Sequence, residues 1–274
     1  MKKQIKHALQ GYFFIAPLLI GCLFFYVIPF GMIFWYSFRK SAAKNSSFVQ
    51  FDNYFSLLRN EMFLTACWNT CRFLVIGIPL ILILSYIIAL LLRKYTERYQ
   101  IVKSVLLFPY IMPVVGTVLL IELLFAKPGQ ISYLESEWAF WIIILLYLWK
   151  NTGYSVVLLL SGLMTIPKEY YASASLDGAG AFQRFFYITT PQMWHTVFYT
   201  VLSSLINAFQ CFREIFLIAG RHPNSKIYLL QHFINNSFEN LSYPKLSAAS
   251  ILLFLVIVVI MGGSYALIRG GEKE

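Results

Sequence analysis

The chain has 274 residues, of which 59% are hydrophobic and 12% charged, with a net charge of +10 and a mean hydropathy of +0.67. A soluble domain carries about 25% charged residues. Half that share cannot cover a soluble particle of 31.7 kDa, which excludes a free cytosolic enzyme and points to a membrane protein. The lysines and arginines form short clusters between apolar runs, with no basic stripe and interleaved aromatics on a polar background, so nucleic-acid binding is excluded too.

Six stretches can cross a hydrocarbon core of about 30 Å, which takes about 20 helical residues: 12–36, 69–92, 104–125, 139–163, 194–219 and 247–268. The first follows Lys2, Lys3 and Lys6. It is too long for a signal-peptide core and no small-x-small cleavage site ends it, so it reads as a retained anchor. Pro17, Pro29, Pro79, Pro113 and Gly116 lie inside these stretches, where neighbouring helices can satisfy the freed backbone groups. Segment 39–69, with Phe48, Phe51, Tyr54, Phe55, Leu57 and Leu58, is expected to contain a short amphipathic helix on the membrane surface. With the N-terminus inside, 11 basic residues fall on inner segments and 9 on outer ones, and the cluster at 93–103 is the best local marker of the inner side. No internal repeat or linker divides the chain. The expectation is an all-α, polytopic fold: one membrane domain over 1–274, with both termini cytoplasmic.

Chemistry-bearing residues are sparse. Cys22, Cys67, Cys71 and Cys211 sit in or beside apolar runs without ligand spacing and are expected as small buried hydrophobes. The four histidines show no metal spacing, no nucleophile–base set is present, and no G-x-x-x-x-G-K-[ST] run occurs. The chain is therefore expected to have no catalytic residues, no metal and no ATP site of its own. Glu122, Lys150, Arg213 and Glu214 lie within the apolar stretches, where ionisable groups are costly and functional by default. Glu122 reads as an interfacial group and Lys150 as one with a partner or an interior position. Arg213 and Glu214 point about 100° apart and are not expected to pair with each other. Ring and amide groups suited to a sugar fall on helix four (Trp149, Asn151, Thr152, Tyr154) and helix five (Ser204, Asn207, Gln210, Cys211), with Asn207 and Cys211 on one face. Interhelical packing is the competing role for each of them.

The segment IPKEYYASASLDGAGAFQRFFYITTP, residues 166–191, is polar and unlike the rest. Pro167 opens a short helix at a first-turn position. Asp177-Gly178 ends that helix through a left-handed turn. A second helix starts near Ala179, with Phe182, Phe185, Phe186 and Ile188 on its apolar side. This run resembles the cytoplasmic loop of permease subunits in binding-protein-dependent ABC importers, whose pattern is E-A-A-x-x-x-G followed by I-x-L-P. Here it reads Ala172-Ser173-Ala174-Ser175-Leu176-Asp177-Gly178-Ala179, then Ile188-Thr189-Thr190-Pro191. Ile166, Pro167, Tyr171 and Asp177-Gly178-Ala179 are similar to the carbohydrate-uptake branch, the maltose and oligosaccharide importers. Gly11–Pro17, Phe51-Asp52-Asn53-Tyr54, Trp68-Asn69-Thr70 and Phe108–Pro113 resemble that branch as well.

The resemblance implies a six-helix permease whose loop between helices four and five docks into an ATPase subunit through Glu169, Ala172, Ser173, Asp177, Gly178 and Ala179. The family's signature Glu falls at Ala172, which cannot make its contacts, so either Glu169, one turn earlier, or the partner permease must supply them. By similarity to the larger permease of maltose importers, Tyr110, Trp149, Thr152, Gly153, Ser204, Ala208 and Cys211 line the sugar pathway. The implied partners are a second homologous permease, two ATPase subunits that bind ATP and Mg, an extracellular binding protein and a carbohydrate, an oligosaccharide in this reading. The implied location is a bacterial cytoplasmic membrane. The alternatives are an importer of glycerol phosphodiesters or polyols, a membrane-embedded enzyme, or a secondary transporter. The last would need inverted repeats and broken-helix pairs, and the sequence suggests neither.

Overall fold

A computed structural model of the protein describes residues 2–43, 46–93, 99–125 and 134–271. The described residues are almost all helical, apart from loops and one isolated backbone bridge between Arg39 and Phe48. Of the basic cluster at 93–103, residues 94–98 lie outside the described residues.

The first crossing is α1 (Lys2–Cys22), a π-helical turn Leu23–Val27 and α2 (Ile28–Ser37). Pro29 explains the wide turn: it offers no N–H to the carbonyl four residues back, and its ring crowds that carbonyl. A π turn relieves both problems, and the Ile28 N–H reaches back to Leu23 O. After a loop comes α3 (Asp52–Leu58), the short helix expected within 39–69. Asn53 Nδ2 ties it to the carbonyls of Ser37 (2.8 Å) and Arg39 (2.9 Å), and Tyr54 Oη donates to Ser37 Oγ at 2.8 Å. Leu57 is buried, whereas Phe48, Phe51, Phe55 and Leu58 remain exposed.

Helix α4 (Glu61–Leu92) starts eight residues before the expected boundary at 69. Asn60 causes the difference: its Oδ1 accepts the Phe63 N–H at 2.9 Å, a side-chain cap on the first turn. The third crossing corrects the sequence reading more deeply. Instead of one helix over 104–125, α5 (Tyr99–Ile111) and α6 (Val114–Phe125) meet at 90° across Met112-Pro113. Proline removes a donor, and the residue before it is driven out of the α region. The expectation of one continuous helix over 104–125 is overturned here.

Helix α7 (Ala139–Thr165) leads to α8 (Lys168–Leu176), α9 (Ala181–Arg184), a second π turn Phe185–Thr189 and α10 (Thr190–Gln210). Here too the π turn precedes a proline, Pro191, and the Thr190 N–H reaches Phe185 O. Cys211 interrupts the fifth crossing before α11 (Phe212–Ala219), and α12 (Leu230–Glu239) and α13 (Tyr243–Gly271) complete the chain. Among the described residues, five helical segments are long and apolar enough to cross a membrane, and the count reaches six if the bent pair is taken as one span.

The chain packs as two compact units, Met1–Leu64 with Ile234–Ile257, and Thr65–Phe233 with Val258–Glu274. In the second, Phe73, Ile81, Phe140, Ile143, Tyr147 and Ile215 form one core. Ala89, Val156, Leu159, Leu163 and Met193 form another toward the α8 end. Helix α5 packs along α7, and Gly153 permits the approach: a Cβ there would lie 1.7 Å from the Leu106 carbonyl oxygen. Of the cysteines, Cys211 is buried and Cys67 half-buried, but Cys22 and Cys71 are exposed. The expectation of four buried thiols fails because those two sit on helix faces that this chain leaves uncovered.

Candidate functional site: a helix with a glycine stop and a cavity at two helix breaks

The polar segment folds close to expectation. Pro167 lies just before the helix rather than inside its first turn, with extended ψ of 136°, and α8 begins at Lys168. Ala and Ser carry it for nine residues, none of them buried. Gly178 has φ +79°. Its N–H donates to Ser175 O at 3.2 Å, and the Ala179 N–H donates to Ala174 O at 2.9 Å. Those two bonds are the paired closure of a Schellman stop, which satisfies the last carbonyls of the helix. Gly180 then caps α9, its N–H donating to Gln183 Oε1 at 2.8 Å.

Three contacts set the direction of α8. Arg184 Nη1 donates to Ser175 Oγ at 2.8 Å, and the hydroxyls of Tyr171 and Thr189 share a hydrogen bond of 2.8 Å. The Arg93 guanidinium, at the end of α4, lies 4.4 Å from the centre of the Tyr171 ring, a cation–π contact. Glu169, Ala172, Ser173, Asp177 and Gly178 are exposed and Ala179 half-buried. The expected apolar side of the second helix divides. Phe185 packs edge-on against Tyr86, while Phe182 and Phe186 stay exposed.

The second feature is a cavity of about 260 Å³ at the two interruptions. Tyr110, Met112, Pro113 and Val114 come from the α5–α6 bend. Leu146, Tyr147, Lys150 and Asn151 come from α7, and Asn207, Gln210, Cys211, Arg213 and Glu214 from the α10–α11 break. Breaks at mid-membrane depth are tolerated where they line a cavity or are buried in protein. Lys150 and Glu214 form an ion pair across this space, 14% and 3% exposed. A charge pair so far from water holds only because each group answers the other. Arg213 Nη2 donates to Gln210 Oε1 at 2.7 Å. The Tyr110 and Tyr154 rings stack at 4.5 Å.

Five of the eight expected pathway residues, Tyr110, Asn151, Asn207, Gln210 and Cys211, line this cavity. Three do not. Trp149 is 39% exposed elsewhere on α7, Thr152 Oγ1 donates to Leu148 O within its own helix, and Ser204 is buried where its carbonyl accepts the Tyr147 hydroxyl at 2.8 Å. Gly153 serves helix packing. The Lys150–Glu214 pairing was missed, because 64 residues separate the partners and no local spacing marks it.

Residues 64–270 match the family described as binding-protein-dependent transport system inner membrane component. The trehalose/maltose transport system permease protein MalF of Thermococcus litoralis is 27% identical, over 94% of this chain and 92% of that protein. The arabinooligosaccharides transport system permease protein AraP of Bacillus subtilis is also 27% identical, covering 91% and 85%. The sn-glycerol-3-phosphate transport system permease protein UgpA of Escherichia coli is 25% identical over 94% of each. A chain in the crystal structure of a bacterial ABC transporter that imports the acidic polysaccharide alginate superposes with a TM-score of 0.81 over 97% of both chains, at 21% identity. That last likeness is one of fold.

Proposed function

Since this chain belongs to the family of inner membrane components of binding-protein-dependent transport systems, we propose that it is the permease of an ATP-driven carbohydrate importer, with an oligosaccharide as cargo. The observation that carries the reading is similarity along nearly the whole chain to permeases for trehalose/maltose and arabinooligosaccharides. In this reading a second, homologous permease completes the pathway and two ATPase subunits bind ATP and Mg. An extracellular binding protein delivers the sugar. The membrane is the cytoplasmic membrane, both termini and segment 166–191 face the cytoplasm, and α8 docks on an ATPase subunit. Closure of the ATPases moves α8, and the contacts of Tyr171 with Arg93 and Thr189 pass that movement to α4 and α10. The helix breaks at 112–113 and 211 are where the moving segments meet the cargo.

A second reading, import of glycerol phosphodiesters or polyols, is favoured by the likeness to the sn-glycerol-3-phosphate permease. The test is uptake into proteoliposomes containing the complete importer, with its binding protein outside and ATP inside. Oligosaccharide uptake that requires both supports the first reading, and uptake confined to glycerol phosphodiesters or polyols supports the second. Uptake driven by an ion gradient without ATP contradicts both. Alanine at Tyr110, Asn207 and Gln210 is expected to lower uptake severalfold while the ATPase subunits still co-purify.

A further inference from the structure

We propose that the cargo carries a carboxylate, as in a uronate-containing oligosaccharide, and that Arg213 is the residue that receives it. The inference rests on the importer reading above and narrows its substrate class.

The charges around the cavity do not cancel. Lys150 and Glu214 answer each other. Arg213 is left over: its guanidinium donates to the neutral amide oxygen of Gln210. It is exposed at the cavity while Glu214 beside it is buried, so water solvates the guanidinium as long as the cavity is open. Cargo that expels this water must replace its hydrogen bonds, or the cation is stranded in a low-dielectric space at a cost. A carboxylate does so best, because its two oxygens match the planar fork of a guanidinium.

A second observation points to the rest of the ligand. Glu214 Oε2 is buried and, among the described residues, has no hydrogen-bond donor. A carboxylate oxygen accepts only, and leaving it unmet is costly. A sugar hydroxyl can donate to it. The cavity therefore asks for a molecule with both a hydroxyl donor and an anionic oxygen pair, which a uronic acid ring provides. A neutral sugar answers Glu214 and leaves Arg213 unmet.

The experiment uses the complete importer in proteoliposomes, with a panel of oligo-uronides each paired with its carboxyl-reduced, neutral counterpart. Wild type is expected to take up the uronide member of a pair at least tenfold faster. Arg213→Gln should lose most of that preference by slowing uronide uptake, and Arg213→Lys should restore part of it. ATPase co-purification, unchanged in both variants, guards against a folding defect. Faster uptake of the neutral members by wild type overturns the proposal and leaves the carbohydrate reading standing. So does an unchanged uronide preference in Arg213→Gln. Uptake of neither member of any pair, with transport of polyols instead, removes the carbohydrate reading itself and this inference with it.

Discussion

Gly178 shows what a single position demands. Its φ of +79° is forced by the closure bonds to Ser175 and Ala174, and nothing lies within 4 Å of where a Cβ would sit. A side chain there meets no obstacle within this chain, so its cost is conformational, about 1 kcal/mol or more for a β-branched residue. Gly178→Val is therefore expected to loosen the end of α8 rather than the membrane core. The reconstituted complex should hydrolyse ATP while moving several times less sugar per ATP, or should lose ATPase subunits on purification. Glu169, exposed in the first turn of α8, is the nearest carboxylate to the position where Ala172 lacks one. Glu169→Ala should weaken ATPase co-purification, and unchanged docking would shift that contact to the partner permease.

At the scale of elements, the loop after α11 is held by buried polar anchors. Asn69 Nδ2 donates to the carbonyls of Ser225 (2.6 Å) and Tyr228 (3.0 Å), and the Leu230 N–H donates to Thr70 Oγ1 at 2.9 Å. His232 completes the cluster: Nδ1 accepts the Leu229 N–H at 3.1 Å, and the ring packs against Phe212 and Tyr228. Burial disfavours the charged imidazolium and lowers its pKa from 6.5 to about 4. Because the folded pKa is depressed, the unfolded chain binds the extra proton between those values. Stability is thus fully present above pH 6.5 and falls as pH drops toward 4, by up to about 3 kcal/mol. Melting of the purified complex at pH 7.5 and pH 5 should show the loss, and His232→Gln should flatten it. An equal drop in the variant would assign the pH effect to other groups.

The same scale separates what could be read in advance. The nine residues of α8 and their glycine stop were legible because capping and turn chemistry are local. The 90° bend between α5 and α6 was underestimated even though Pro113 was in view, because a proline in an apolar run permits a kink, a break or neither, and neighbouring helices decide. The early start of α4 had a visible signal, Asn60 before Glu61, that apolar-run counting passes over.

For the molecule as a whole, five crossings among the described residues, and the stretch that folds as the bent pair, were legible from apolar length alone, and the family from spaced motifs across the chain. The cavity was half legible. Residues on one helix face, such as Asn207 and Cys211, can be grouped by spacing, whereas the meeting of Lys150 with Glu214 depends on how α10, which leads into α11, packs along α7. Trp149 and Thr152 illustrate the converse: suitable chemistry one or two residues from Lys150 and Asn151 points elsewhere on the same helix.

The central claim is that α8 faces the compartment that holds ATP while the loop between α12 and α13 faces the other. Single cysteines at Ser173 and Ser242, in a background with the four native cysteines replaced, test it by labelling intact cells with a membrane-impermeant maleimide. Ser242→Cys should label directly, and Ser173→Cys only after permeabilisation. Labelling of Ser173→Cys in intact cells would put α8 outside and contradict the account.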